Sequence, residues 1–364
     1  MRIIYLLLRW FFGVLFIFSG LVKANDPLGL SYKMQEFFEV WGMGFLDSWS
    51  LTLAYAMNVL EIVLGVSVLT GRNASFFLKI ALALLVFFSF LTGYAEFSGK
   101  IKTCGCFGDC LPLTSFQSFL KDILLLIINI ILLLGAKRKQ QQFSKLSANI
   151  FIGTSFIATI LLQNYVLKHL PLVDCLPYKE GNNIWEMMQN KPKQPNEIVE
   201  VWYTYEKNGK QLSFNSDAFP DDFDSTYQFV AREDKVIAKS AKVLSSPVEF
   251  YLQTLSGNDT TAELLTGNHN YLLIKNFKPN LIDEQKAAIF NWVNSLKAQK
   301  QTPIIVTSDP DNAKAFFKGQ PVTIVTCDAT VIKTAARVRT TVMKIDKGTI
   351  VQKKALADVN EPEK

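Results

Sequence analysis

The sequence has five cysteines, and three of them are crowded into one decapeptide, Thr103-Cys-Gly-Cys-Phe-Gly-Asp-Cys-Leu-Pro. Thiol–disulfide exchange needs an accessible thiolate beside a second thiol that resolves the mixed disulfide. Cys104 and Cys106 are spaced for that work, and Gly105 and Gly108 let the backbone bend so that neighbouring sulfurs can face one another. The same spacing also suits a structural staple, with Cys104 or Cys106 paired to Cys110 or Cys175. A four-cysteine zinc site fits less well, because Cys-x-Cys is not the usual ligand spacing. Connectivity cannot be read from spacing. The odd cysteine is expected to be Cys327, which follows an apolar run and reads as a small core hydrophobe. His169 and His269 are the only histidines, so no metal centre is expected.

A second candidate is Glu61, eleven residues past Ser50 and near the middle of an apolar run. A carboxylate at membrane depth is costly unless paired or protonated, which makes it a functional candidate by default. Arg9 and Lys23 are its possible partners. The alternatives are an ion pair that locks two helices and a role in proton handling or quinone contact. Lys121-Asp122, near the start of another apolar run, reads either as an interfacial pair or as a pair inside the bundle.

The elements that must position these residues differ between the two halves of the chain. Mean hydropathy is +0.18, high for a soluble domain of this length and incompatible with disorder. Residues 1–169 hold 14 basic and 8 acidic side chains, whereas residues 170–364 hold 24 of each. A basic excess confined to the apolar half reads as membrane topology and not as a nucleic-acid surface. Five runs are long enough to cross a bilayer: Ile3–Val22, Trp49–Thr70, Phe76–Ala95, Phe116–Ala136 and Leu146–Leu167. The first is expected to remain uncleaved, since no small-residue cleavage site follows it. Lys137, Arg138, Lys139 and Lys145, with Arg2 and Arg72, mark the cytoplasmic side. This places all five cysteines and the C-terminal half outside, in the bacterial periplasm, where disulfides are permitted.

The second half begins near His169. Residues 176–200 read as an extended linker along the membrane surface, and 199–205 and 227–239 as strands. From residue 248 strands and helices alternate: strands at Val248–Leu255, Tyr271–Phe277, Pro303–Thr307 and Val322–Thr326, with helices at Asp283–Lys300, Asn312–Phe317 and Ala329–Ala336. An antiparallel hairpin turning at Lys347-Gly348 closes the region. This is the element order of a thioredoxin-like α/β domain. Its usual Cys-x-x-Cys is missing, because the corresponding segment is Asn276-Phe-Lys-Pro-Asn280. Arg339-Thr340-Thr341 stands where a cis-proline is expected. The region therefore reads as a redox-inactive docking module.

Residues 1–135 resemble the DoxX/MauE family of four-helix membrane proteins, in the form found in Bacteroidetes. The residues that carry the likeness are Phe18-Ser-Gly-Leu-Val-Lys23 with Asp26-Pro-Leu-Gly29, Glu61-Ile-Val-Leu-Gly65, Leu91-Thr-Gly-Tyr94, Cys104-Gly-Cys-Phe-Gly-Asp109 and the stretch Leu113–Asp122. The resemblance implies a four-helix bundle over 1–136 and a fifth membrane helix at 146–168. A periplasmic linker and β-rich segment would cover 169–247, and a thioredoxin-like domain 248–364. MauE is associated with maturation of methylamine dehydrogenase, a periplasmic enzyme with many disulfides. DoxX is linked to quinone-dependent thiosulfate oxidation, and the layout is similar to the quinone-linked disulfide-forming proteins of the VKOR and DsbB type. Cys104 and Cys106 match the family motif. Cys110 and Cys175 fall outside it, which leaves them as a candidate disulfide of their own. Two functions stand. One is a quinone-linked thiol-disulfide oxidoreductase or maturation factor of the inner membrane, with Cys104, Cys106 and Glu61 as its working residues and a periplasmic protein as client. The other is a non-catalytic envelope anchor with a structural disulfide loop.

Overall fold

The computed structural model describes residues 2–101, 108–111, 113–135, 143–190, 199–207, 209–215, 219–220, 223–224, 226–236, 248–275, 277 and 285–359. Among the described residues five helices are long and apolar enough to cross a membrane, and the chain is a multi-pass membrane protein. They are α1 (Arg2–Asn25), α3 (Ser50–Thr70), α4 (Ala74–Ser98), α5 (Ser115–Gly135) and α6 (Lys145–Lys168). Large apolar side chains such as Leu7, Phe11, Phe90 and Leu161 face outward, as a lipid-exposed surface requires.

Helices α1 and α3 cross closely. A Cβ on Gly65 would lie 2.7 Å from Ile17 and 2.8 Å from the Gly13 carbonyl oxygen, so glycine lets the two backbones approach. Arg9 donates to the carbonyl oxygens of Val68 and Leu69, both at 2.6 Å. It therefore caps the end of α3 and is not the partner of Glu61. Helix α6 is tied to α3 by polar contacts. Asn58 donates to Gln163 at 3.0 Å, and Tyr55 donates to the Ile160 carbonyl at 3.0 Å.

The segment between α1 and α3 contains helix α2 (Pro27–Val40) and a 3-10 turn at Gly44–Trp49. Asp26 caps α2 by accepting from the Gly29 amide at 3.0 Å, and Pro27 opens the helix. Its proline φ is already helical, and the amide it lacks would have had no partner there.

The C-terminal region forms a five-stranded sheet in the order β6-β5-β4-β7-β8. Its strands are β4 (Asn268–Ile274), β5 (Ile304–Thr307), β6 (Thr323–Thr326), β7 (Thr340–Asp346) and β8 (Thr349–Ala355). Strands β4, β5 and β6 are parallel, while β7 and β8 run antiparallel. Successive β4 residues serve opposite layers: Tyr271 and Leu273 one core, Leu272 and Ile274 the other. Burial of both faces explains the unbroken apolar run. Helices α9 (Lys286–Ala298) and α10 (Pro310–Phe316) cover the second core, and α11 (Ala329–Ala336) covers the first. The short helices α7 (Ile184–Gln189) and α8 (Thr261–Thr266) complete the first core.

Two expectations need correction. Residues 176–189 are not a linker along the membrane: Tyr178, Ile184 and Met188 are buried in the sheet's first core. The Gly181 and Ile184 amides donate to the carbonyls of Ile350 and Gly348. The Val248–Leu255 segment is not a strand, because it pairs only through isolated bridges at Gln253. Its alternation reflects burial of Val248, Phe250 and Leu252 on the first core.

A separate compact unit, 190–247, holds a three-stranded antiparallel sheet in the order β2-β1-β3. The strands are β1 (Val199–Lys207), β2 (Lys210–Asn215) and β3 (Gln228–Val236). Tyr203, Tyr205, Phe214, Phe219, Phe223 and Tyr227 form its aromatic cluster. Strand β2 was not expected, although Asn208-Gly209 is a hairpin signature.

Candidate functional site

Glu61 points into the bundle toward α1. Lys23 Nζ lies 2.5 Å from Glu61 Oε2, both side chains are 5% exposed, and Ser19 donates to Glu61 Oε1 at 3.3 Å. One of the two partners expected from the sequence is therefore its counter-ion. Of the two readings of Lys121-Asp122, the structure has the pair inside the bundle: Asp122 is fully buried, 2.9 Å from Lys121 Nζ, and accepts from Thr92 at 3.2 Å.

The two ion pairs flank one space. Glu61, Lys121 and Asp122 line a pocket with Ser19 and Phe88. Phe88 and Lys121 also line a second, open cleft, walled by Leu30, Met34, Phe37, Met57 and Leu91. Apolar walls with few polar groups are the usual lining of a small-molecule site. Lys23, Lys33, Thr92 and Lys121 are the cleft's polar lining. Lys23 also sits over the Phe88 ring, 4.9 Å from its centroid. Helix α2 forms one wall through Leu30, Lys33, Met34 and Phe37. An apolar, flat molecule with hydrogen-bond acceptors matches this lining, since ammonium groups donate only.

The cysteines divide into three situations. Cys110 and Cys175 form a disulfide with Cα atoms 4.8 Å apart. It ties the loop before α5 to the chain just beyond α6, at the end of the bundle where Asn25 of α1 hydrogen-bonds Val173. Cys104 and Cys106 lie outside the described residues. Cys327 is a free, buried thiol that burial pushes up to about 12, which suits a core residue and not a nucleophile.

At the same end the five-stranded sheet region meets the bundle, and this seam was not visible in the sequence. Arg337, in the left-handed conformation at the end of α11 (φ 52), pairs with Asp26 at 2.9 Å and with Asp109. Lys353 pairs with Asp174 at 2.6 Å, and its amide donates to Glu180 at 2.6 Å. Lys333 and Arg337 lie over the Tyr32 ring, and His169 pairs with Asp358. Arg337 and Lys353 are both 5% exposed. Burial pushes the Asp26 carboxyl up, more than the Arg337 guanidinium and the Gly29 amide hold it down. Burial likewise pulls the Lys353 ammonium down against the opposing pull of Asp174. Among the described residues no peptide bond is cis.

Residues 1–135 match the family described as methylamine utilisation protein MauE, and residues 199–239 match a domain of unknown function (DUF8463). Protein TlpB of Flavobacterium psychrophilum is 24% identical over 141 residues, 37% of this chain and 38% of that protein. The match thus spans well under half of the relative's length. No solved structure matches.

Proposed function

We propose, from a chain whose residues 1–135 are a MauE family domain, that this membrane protein moves electrons from an external protein dithiol to a membrane quinone. Cys104 and Cys106 are the exchanging pair. The client attacks the Cys104–Cys106 disulfide, leaves oxidised, and delivers two electrons and two protons to the two cysteines. A bound quinone supplies a two-electron, two-proton acceptor for their reoxidation. Lys23 and Lys121 offer donors to a ring carbonyl, and Glu61 holds Lys23 in place. The apolar walls and Phe88 keep water from the ring. The N-terminus is cytoplasmic in this reading, the cysteine loop and the sheet region are periplasmic, and the membrane is the inner one. The thioredoxin-like region, lacking a thiol pair of its own, recruits the client.

The observation that carries this reading is positional. Cys104-Gly-Cys106 stands four residues before Cys110, whose disulfide to Cys175 lies at the end of the bundle where Asn25, two residues beyond Lys23, hydrogen-bonds Val173. The Cys110–Cys175 bond itself also favours a second reading, a non-catalytic anchor with a stapled loop. Mass-tagged maleimide, applied before and after reduction in membranes with and without quinone, separates the two. We expect the oxidised fraction of Cys104 and Cys106 to follow quinone supply, and to fall when Glu61→Gln is introduced. A redox state indifferent to quinone leaves the anchor.

A further inference from the structure

Three carboxylates receive the buried cations across the seam, and two of them are the sequence neighbours of half-cystines: Asp109 precedes Cys110, and Asp174 precedes Cys175. One covalent bond therefore fixes the position of Asp109, which meets Arg337, and of Asp174, which meets Lys353. Both cysteines are only half-buried, whereas Arg337 and Lys353 are 5% exposed. The bond is thus open to attack, while the groups it serves cannot tolerate loss of their partners. A buried charge stripped of its partner costs far more than an exposed one.

We propose that Cys110–Cys175 is a thiol-exchange site in its own right, with a protein dithiol as substrate, and that its redox state sets whether the sheet region stays docked on the bundle. The proposal needs neither Cys104 and Cys106 nor a quinone. In the exchange one thiolate of the client attacks Cys110 or Cys175 and forms a mixed disulfide. The client's second thiol then displaces it and leaves as the client's disulfide, and Cys110 and Cys175 are left as two thiols. The reverse reaction restores the latch.

The consequence reaches the cleft through Asp26. One of its oxygens caps α2 and the other pairs with Arg337. Helix α2 also carries Tyr32, beneath Lys333 and Arg337, on one side and the cleft wall of Leu30, Lys33, Met34 and Phe37 on the other. Release of Arg337 removes one of the supports of α2, whose others are the bonds of Ser31 and Gln35 to Ser50 and the packing of Phe37. The cleft's wall and the seam are therefore expected to loosen together.

The test uses the full chain in lipid nanodiscs with C104S/C106S, so that dithiothreitol acts on Cys110–Cys175 alone among the accessible cysteines. Hydrogen exchange is followed in peptides covering 26–40 and 337–345, with β4 as the internal reference. Reduction is expected to speed exchange in both seam peptides at least tenfold, to leave β4 unchanged, and to be reversed by oxidised glutathione. Arg337→Gln is expected to reproduce the effect with the disulfide intact. Reduced thioredoxin, as a probe dithiol, is expected to cleave the bond faster than equimolar dithiothreitol. Unchanged seam exchange on reduction, or loss of protection in β4 at the same time, overturns the latch. Resistance to thioredoxin overturns the exchange site. Should C104S/C106S not fold, wild-type exchange is followed against the fraction of Cys110–Cys175 reduced, counted by mass tag. Seam exchange that rises with that fraction supports the latch, and seam exchange independent of it overturns the latch.

Discussion

Two regions of this protein are built on buried ion pairs, and they use them differently. In the bundle, Lys23–Glu61 joins two neighbouring membrane helices, and Lys121–Asp122 joins adjacent residues of one helix. These charges border a cleft and are held by helices that would pack without them. In the seam, Arg337 reaches residues 228 positions away in the case of Asp109, and a disulfide fixes two of the three carboxylates. Here the charges are the attachment. Lipid offers no water to a stranded charge, whereas a seam that opens admits water to both halves. The bundle pair should therefore cost more to break, and the seam pair should be the more reversible.

The largest effect is expected in the bundle. Glu61→Leu strands the Lys23 ammonium and should lower unfolding stability by about 3–5 kcal/mol, measured by denaturant titration in mixed micelles. Lys23→Met with Glu61→Leu should recover most of that loss, because packing replaces the pair. If the single variant costs no more than the double, the cleft hydrates Lys23 and the contrast with the seam disappears. Next comes the seam. Asp174→Asn leaves Lys353, whose ammonium is already pulled down by burial, with a neutral partner. It should weaken docking by about 1.5–3 kcal/mol, the range of a charged hydrogen bond. Hydrogen exchange should then quicken in β8 near Lys353 while β4 stays protected.

What was legible in the sequence follows the same division. The five spans and Glu61 could be read because length, apolarity and an isolated carboxylate are local signals. The Lys23 partnership was reachable because Arg9 and Lys23 are the cations that the preceding span and its outer end offer. Helix α2 had a local signature in Asp26-Pro27, but proximity to the membrane made loop the default. The 176–189 segment looks like linker by composition, and only the burial of Tyr178, Ile184 and Met188 against a distant sheet makes it core. The seam could not be read at all. Arg337 is an ordinary basic residue at a helix end until folding brings Asp26 and Asp109 to it. Pairings across such separations leave no periodic trace.

A third measurement asks whether the sheet region is chemically inert, as its role in the seam requires. Burial holds the Cys327 thiol up to about 12, against 9.0 for the free group. In the folded state it stays protonated between those values while the unfolded chain gives up its proton. Unfolded protein thus binds fewer protons, and stability falls as pH rises above 9. The loss should reach about 1.4 kcal/mol at pH 10. Cys327→Ala should flatten that part of the pH profile. A profile that falls equally in both proteins would assign the slope to the buried tyrosines Tyr178 and Tyr271, which burial also pushes up.

The smallest expected effect tests the bundle's neutral contacts against its charged ones. Asn58 is fully buried and donates to Gln163 at 3.0 Å, which fixes α6 to α3. Hydrogen bonds between membrane helices contribute about 0.6 kcal/mol on average, because the separated helices find other partners in the membrane. Asn58→Leu should therefore cost about that much in the same micelle titration, several times less than Glu61→Leu. Near-equality of the two variants would mean that Lys23–Glu61 is held no more tightly than a neutral amide pair. Its location at the cleft would then reflect hydration and not burial. A clear gap would place the charged pair among the features the bundle retains at a real cost in desolvation, and that cost is explained if the ammonium it positions has a ligand to hold.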